Sequence, residues 1–400
     1  MNSQDYIKME DEYGAHNYHP LDVVIKEASG VWVTDVDGKK YLDCLAAYSA
    51  VNQGHCHPKI MEVFMEQAHK VTLTSRAFRN DKLPLLYKKL HDMTGYDMFL
   101  PMNSGAEAVE TAIKLCRRWA YDVKKLPENK AEIIVADGNF HGRTTTIIGM
   151  SDDPDSYKGF GPYVEWAFPQ HKYGDLEDLK TKLTPNTAGI LVEPIQGEGG
   201  VVVPPDGYLK GIADICKERN ILFLCDEIQA GLGRSGKLFA HYYENVRPDI
   251  VIIGKALSGG FLPVSGVLAD KEIMLTIKPG EHGSTFGGSP LAAAVAVKAL
   301  EVIEEENLVQ RSFDIGAYFV EKLRAIKSPH IKQVRGKGLW IGFVLDQKAR
   351  PYVLKLQEEG VLCKDTHETI IRFAPPLIIT KEQIDWAVER IEKVVHEFDK

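Results

Sequence analysis

The sequence predicts an α/β fold with a mostly parallel central sheet, joined to a smaller α+β domain. Its 400 residues are enough for about two domains and a large buried core. Between residues 98 and 268, short runs that are apolar at nearly every position alternate with helical patterns. Such runs are typical of strands covered on both faces by helices. The last hundred residues mix long helices with isolated strands, which favours a second domain.

The composition is that of a soluble globular protein, with 44% hydrophobic and 26% charged residues. Lys and Arg total 48 against 56 Asp and Glu, which gives a formal net charge of −8. This acidic balance argues against nucleic acid and against an anionic membrane surface as partners. No apolar run is long enough for a membrane helix, and the N-terminus has no apolar signal region. Six scattered cysteines without CxxC spacing favour the reducing cytoplasm.

The elements are predicted in chain order from these patterns. Residues Val23 to Asp43 predict a hairpin that turns at Asp37-Gly38. Helical spacing predicts a helix from about Glu107, between the first two strands of the sheet. The apolar runs predict sheet strands at Met98–Pro101, Ile133–Ala136, Ile190–Val192, Ile221–Cys225, Ile250–Ile253 and Val264–Leu268.

The C-terminal region alternates helix and strand signals. They predict a helix over Pro290 to Glu306, a strand over Val334 to Leu345, a helix between Pro351 and Gly360, a strand over Ile371 to Phe373, and a final helix that starts at Thr380 with a capping box to Gln383. We therefore expect residues 49–288 to form a large cofactor-binding domain and residues 289–400 a small domain. Residues 1–48 are expected to pack with the small domain.

Two strand ends carry the chemistry. One apolar run ends in Asp226, and a second, 29 residues further on, ends in Lys255. Ligands bind beyond the carboxyl ends of the strands in open α/β sheets, so both side chains can address one flat cofactor. Pyridoxal phosphate (PLP) needs this pair, because a lysine binds its carbonyl carbon and a carboxylate keeps its ring nitrogen protonated. A structural ion pair is the alternative that spacing alone leaves open.

Two further segments favour the cofactor interpretation. Residues 102–107 join an apolar strand to a helix, which places Ser104 and backbone N–H groups where they can bind a phosphate. An ordinary helix cap by Asn103 or Ser104 is an equally good interpretation of that segment alone. Residues 283–288 add two hydroxyls, Ser284 and Thr285, as a second possible phosphate contact.

Several longer runs make a family recognisable. They are YGAHNYHP at 13–20, YSAVNQGHCHP at 48–58, TLTSRAF at 72–78, VEPIQGE at 192–198, DEIQ at 226–229, GKALSGG at 254–260 and IRFAPP at 371–376. With these motifs the chain resembles the subgroup-III, fold-type-I PLP-dependent aminotransferases, and within them the members that act on ornithine. The resemblance extends from Tyr13 almost to the C-terminus.

The resemblance implies a role for each cofactor residue. Lys255 would be the Schiff-base lysine and proton carrier, and Asp226 would pair with the pyridinium nitrogen. Phe140 would stack on the ring, and Gln229 would contact the 3-oxygen. His141, the residue after Phe140, would also belong to the cofactor site. Ser104, Gly105 and Ala106 would hold the phosphate, together with Ser284 and Thr285. Thr285 would reach the phosphate of a neighbouring subunit, which implies a homodimer.

The resemblance also implies the reaction, in which the δ-amino group of L-ornithine passes to 2-oxoglutarate, between arginine breakdown and proline synthesis. Arg372 would bind the α-carboxylate of glutamate, and Glu198 would neutralise that arginine during the ornithine half-reaction. Arg143 and Tyr18 would bind the distal carboxylate, and Tyr48 would line the ornithine pocket. A purely structural Arg–Glu pair is the alternative. The departures from the family pattern that leave substrate preference open are His141, Ala230, Gly199 and Ser289.

Four other functions are compatible with parts of the sequence. An acetylornithine or other ω-amino-acid aminotransferase would share the cofactor chemistry, and a catalytically silent binding protein could keep the fold. Residues 231–236 match GxGxxG but lack the long helix that a dinucleotide site requires. His55, Cys56 and His57 lie close together, as do His16 and His19, but no zinc ligand spacing accompanies them, so no metal is expected.

Overall fold

The computed structural model describes residues 1–399, and its centre is a sheet of seven strands. The strand order is β4-β10-β9-β8-β7-β5-β6. All neighbours in this order are parallel except β10, which is antiparallel to both β4 and β9. The strands are β4 (Met98–Met102), β5 (Glu132–Ala136), β6 (Gln170–His171), β7 (Thr187–Val192), β8 (Leu222–Asp226), β9 (Ile250–Ile253) and β10 (Ser265–Ala269).

Burial explains why these runs are strands. Every residue of β7, β8, β9 and β10 is buried, as continuous apolar runs in a sheet covered on both faces require. Since β4 is antiparallel to β10, it runs in the same direction as β9. The carboxyl ends of β4, β7, β8 and β9 therefore meet at one edge, and that edge carries the site.

Helices cover both faces of the sheet. Within residues 1–399, no helix has the length and apolar character needed to cross a membrane. The helices between residues 58 and 305 are α3 (Pro58–Ala68), α4 (Leu83–Thr94), α5 (Gly105–Asp122), α6 (Thr145–Ile148), α7 (Pro154–Tyr157), α8 (Leu176–Lys182), α9 (Tyr208–Arg219), α10 (Lys271–Met274) and α11 (Pro290–Glu305). Short 3-10 turns occupy Glu165–Ala167, Ala240–Glu244 and Lys255–Ser258.

The two ends of the chain meet in smaller sheets. One sheet has the order β1-β2-β3-β13 and the other β11-β12-β15-β14. Strand β13 pairs in parallel with β3, with Val361 opposite Leu42. The strands are β1 (Ile25–Ser29), β2 (Trp32–Asp35), β3 (Lys40–Asp43), β11 (Ile331–Gly336), β12 (Ile341–Leu345), β13 (Val361–Leu362), β14 (Lys364–Thr366) and β15 (Ile370–Phe373). The helices are α1 (Ser3–Tyr13), α2 (Ala46–Ser49), α12 (Leu308–Ala325), α13 (Arg350–Glu358) and α14 (Lys381–Phe398).

The α/β class and the mostly parallel sheet are confirmed, as is the capping box that begins α14 at Thr380. Two predictions about strands are wrong. The Val23–Asp43 hairpin is a three-stranded meander, because the chain also turns at Gly30, where φ is +61°. The single strand predicted over Val334–Leu345 is two antiparallel strands, because the chain turns between Gly336 and Ile341.

Candidate active site

Asp226 is a buried carboxylate at the end of β8, and hydrogen bonds hold both of its oxygens. Its Oδ1 accepts the N–H of Ile228 at 3.1 Å, and its Oδ2 accepts Nδ1–H of His141 at 2.7 Å. Burial lowers the pKa of His141, but the hydrogen bond and charge of Asp226 outweigh this and raise it overall. The imidazole and the Ile228 N–H therefore fix the orientation of this carboxylate at the end of β8.

Lys255 follows β9 and begins a short 3-10 turn, with a left-handed φ of +46°. Burial lowers the pKa of its amine, and the charges of Glu198 and Asp226 act in the opposite direction. A lysine with a lowered pKa has a larger neutral fraction, and the neutral amine is the form that attacks a carbonyl carbon. The structure therefore brings the two predicted strand-end residues into one electrostatic environment.

The N-terminus of α5 offers donors to an anion. Ser104 is its N-cap: the hydroxyl accepts the N–H of Glu107 at 3.2 Å, and the Glu107 carboxylate accepts the N–H of Ser104 at 2.7 Å. The capping box leaves the N–H groups of Gly105 and Ala106 in the first turn free for a ligand. Ser265 fixes this corner by donating its hydroxyl to the carbonyl of Ser104 at 2.6 Å.

Glu193 is a functional candidate that the sequence reasoning missed. It follows β7 directly, so the signal was the same as for Asp226, a carboxylate at the end of a buried strand. Its side chain accepts the N–H of Phe140 at 3.0 Å and the N–H of Gly197 at 3.2 Å. Burial raises the pKa of Glu193 to about 7, although the charge of His141 opposes the shift. Glu193 thus links the Phe140 loop to the loop that carries Glu198.

Arg372 lies in β15 and is buried, with 2% of its side chain exposed. Its Nη1 donates to Oε1 of Glu198 at 2.9 Å and to the carbonyl of Gly197 at 3.2 Å. Burial raises the pKa of Glu198, but the charge and hydrogen bond of Arg372 lower it overall. The Nε–H of Arg372 is buried and has no partner among residues 1–399, so it is an unused hydrogen-bond donor.

Three aromatic side chains lie beside Arg372 and a second arginine, Arg143. The ring of Tyr48 lies 5.4 Å from Cζ of Arg372. Cζ of Arg143 lies 5.7 Å from the ring of Phe140 and 5.6 Å from that of Tyr18. Arg143 and Tyr18 are both exposed. The site therefore contains a buried arginine paired with a carboxylate and an exposed arginine that, among residues 1–399, forms no ion pair.

Gln229 and the 283–288 loop lie at other borders of the site. A side chain at Gly197 would collide with Oε1 of Gln229, so this glycine permits a close approach of the two loops. Asn103 donates to the hydroxyl of Ser284 at 2.7 Å, which places that loop beside the start of α5. Thr285 is exposed on its own chain.

The GxGxxG segment has a structural role instead of a nucleotide-binding one. Arg234 is fully buried, and its Nη1 donates to the carbonyls of Leu339 and Pro375, both at 2.7 Å. Its Nη2 donates to Oδ1 of Asn52 at 2.6 Å. Burial lowers the pKa of Arg234 to about 9. The motif therefore connects three distant parts of the chain and begins no long helix.

His55 and His57 each have a carboxylate partner. His55 binds Asp43 at 2.7 Å and His57 binds Glu306 at 3.1 Å. A different trio, Cys225, Glu227 and His241, is buried together. The Glu227 carboxylate there accepts the backbone N–H groups of Ala240 and His241, which gives it a structural function.

Comparison with known proteins defines the class. The family model for class-III aminotransferases matches residues 13–395. The chain therefore belongs to the class-III aminotransferase family, which confirms the resemblance drawn from its motifs.

Three relatives narrow the comparison. The chain is 58% identical to an ornithine aminotransferase of Brevibacillus brevis over 390 residues, 98% of each chain. It superposes on an ornithine aminotransferase of Toxoplasma gondii with a TM-score of 0.98 at 42% identity, covering 100% of this chain and 96% of the other. It also superposes on an acetylornithine aminotransferase of Elizabethkingia anophelis with a TM-score of 0.90 at 48% identity, covering all of both chains.

Proposed function

We propose that the protein is a PLP-dependent aminotransferase that moves the δ-amino group of L-ornithine to 2-oxoglutarate. The products are L-glutamate 5-semialdehyde, which cyclises to pyrroline-5-carboxylate, and L-glutamate. The observation that carries the proposal is the buried Arg372, which is paired with Glu198 and keeps one idle N–H donor. The close similarity to ornithine aminotransferases supports the same substrate.

The donor set fits the cofactor. When bound, PLP supplies a carbonyl carbon that takes up the amino group and a ring that withdraws electrons. Asp226 would hold the protonated ring nitrogen, and His141 would orient Asp226 from behind. Lys255 would hold the cofactor through its carbonyl carbon, and its amine would move the proton at the substrate carbon. The remaining cofactor contacts are assigned to Ser104, Gly105, Ala106, Phe140, Gln229 and Ser284, with Thr285 from a second subunit.

Substrate binding must serve two different molecules in one pocket. Glutamate presents its α-carboxylate to Arg372, which then has a partner of opposite charge. Ornithine presents only its aliphatic chain there, which would leave a buried cation unpaired at a cost of several kcal/mol. Glu198 removes that cost by pairing with Arg372 during the ornithine half-reaction. At the other end, Arg143 and Tyr18 bind the carboxylate far from the reacting amine, and Tyr48 lines the wall between.

We further propose a homodimer in a reducing cytoplasm, with residues 49–288 as the large domain. Several large apolar side chains are exposed on one chain, as expected of a surface that a second copy covers. They include Met61, Met65, Phe78, Leu85 and Phe286. All six cysteines are free, which suits a reducing compartment. Residues 289–400 form the small domain in this proposal, and residues 1–48 pack with it.

A spectrum of the purified protein tests the reaction. L-Ornithine should abolish the visible band of bound PLP and yield pyrroline-5-carboxylate, and 2-oxoglutarate should restore the band. The variant Lys255→Ala should show no catalytic turnover. A band that responds to N-acetylornithine but ignores ornithine would refute the proposed substrate, and it would favour the acetylornithine aminotransferase alternative that the Elizabethkingia similarity supports.

A further inference from the structure

The segment before Tyr48 has an unusual backbone. Four consecutive residues that are not glycine, Ala46 to Ser49, have φ values of +49°, +47°, +57° and +72°. They form a single left-handed helical turn. For L-residues this conformation is unfavourable, because Cβ comes too close to the following carbonyl oxygen. Runs of it are therefore rare, and they persist only where the surroundings enforce them.

The surrounding contacts enforce the turn from both sides. The Asp43 carboxylate accepts the N–H of Leu45 at 2.8 Å and of Ala46 at 2.9 Å, and its second oxygen binds His55. After the turn, the N–H of Ala50 donates to the carbonyl of Ala46 at 2.9 Å. Asp43 therefore fixes both the entry to the turn and the segment that follows it.

The turn is also attached to the strand that carries Arg372. The backbone carbonyl of Cys44 accepts the N–H of Ala374 at 2.6 Å, two residues beyond Arg372. Tyr48, the third residue of the turn, presents its ring 5.4 Å from the Arg372 guanidinium. Burial raises the pKa of Tyr48, so the ring stays neutral beside the cation. These contacts therefore fix the position of the strained turn relative to Arg372.

We propose that the left-handed turn at residues 46–49 is a positioning device, which holds Tyr48 against Arg372 so that the pocket accepts an aliphatic substrate chain. This inference rests on the proposed function and assigns the strain a purpose in it. A right-handed turn of the same residues would direct Tyr48 elsewhere. The Asp43 hydrogen bonds compensate the conformational free energy that the left-handed turn costs. The fixed position of Tyr48 then makes the pocket selective for ornithine.

Ala47→Gly tests the proposal, because Ala47 is exposed and glycine adopts its φ of +47° without the steric cost. The matched control is Ala50→Gly, at an ordinary right-handed φ of −81°. With cofactor bound and without it, Ala47→Gly should raise the thermal midpoint by about 1–3 °C, whereas Ala50→Gly should lower it. For Ala47→Gly, kcat/KM for ornithine should fall about fivefold because Tyr48 is less constrained, and the glutamate half-reaction should stay within about twofold.

The outcomes test separately whether the turn is strained and whether it positions Tyr48. A lower midpoint in Ala47→Gly overturns the assignment of strain, and unchanged ornithine turnover overturns the positioning role. An equal loss in both half-reactions, or the same change of selectivity in Ala50→Gly, also overturns it. A wild-type protein that ignores ornithine but transfers the amino group of glutamate refutes the proposed function instead, and the midpoint comparison then still reports on the strain.

Discussion

Replacing Glu198 with Gln should separate the two half-reactions. The substitution keeps the size of the side chain but removes the charge that faces Arg372 Nη1 at 2.9 Å. Breaking one partner of a fully buried pair costs about 3–5 kcal/mol. Because 34% of the Glu198 side chain is exposed, solvent screens part of the interaction, and about 2 kcal/mol is a reasonable expectation.

That penalty applies only when ornithine is bound, since glutamate brings its own carboxylate to Arg372. We therefore expect kcat/KM for ornithine to fall about 30-fold, and kcat/KM for glutamate to stay equal or rise because Glu198 no longer competes. Single-turnover absorbance measurements with each substrate provide both numbers. Equal losses in the two half-reactions, or a larger loss with glutamate, would refute the switching role of Glu198.

Three other predictions follow from buried or shared groups. Arg234→Lys should lower the free energy of unfolding, measured in urea, by about 3–5 kcal/mol. A lysine ammonium cannot reproduce the planar set of hydrogen bonds that the guanidinium donates to two backbone carbonyls and a side-chain amide oxygen. A loss below about 1 kcal/mol would contradict this. Glu193 has a folded pKa of about 7, above its ordinary value of 4.5, so its contribution to stability is full below about pH 4.5 and is lost as the pH rises through 7. Glu193→Gln should therefore gain stability relative to wild type between pH 5 and pH 8, and parallel curves would contradict the shift. Co-expressed Lys255→Ala and Thr285→Ala chains should regain activity that neither has alone, through one complete site per mixed dimer, whereas no recovery would contradict a shared phosphate site.

Much of the site could be predicted because strand ends are visible in the sequence. Asp226 and Lys255 each end a continuous apolar run, and such runs become buried parallel strands whose carboxyl ends meet. The same signal preceded Glu193 and was missed, since no cofactor atom was expected there. The role of Glu193 lies in two backbone N–H groups that only the folded loops bring together.

Other features were beyond local sequence reasoning. Ala46, Ala47 and Tyr48 carry no signal for a left-handed turn, because alanine favours a right-handed helix. The turn results from a carboxylate at Asp43 and a strand more than 300 residues away, and tertiary contacts of this kind override local preference. In the same way, Arg234 lies within an apparent nucleotide motif, and its true partners become visible only in three dimensions.

The pairing of β3 with β13 has a consequence for how the protein is made. Leu42 of β3 donates its N–H to the carbonyl of Gly360, just before β13, and the two residues are 318 positions apart in the chain. At about 5–20 residues per second, a ribosome needs roughly 15–60 s to synthesise that interval. During this time one edge of β3 has no partner strand. A nascent chain therefore spends most of its synthesis without a docking place for its first strands, and we expect chaperones to bind it there. A message truncated before the codon for Val361 would leave β3 without its parallel partner strand and would also lack Arg372, so we expect no active enzyme from it.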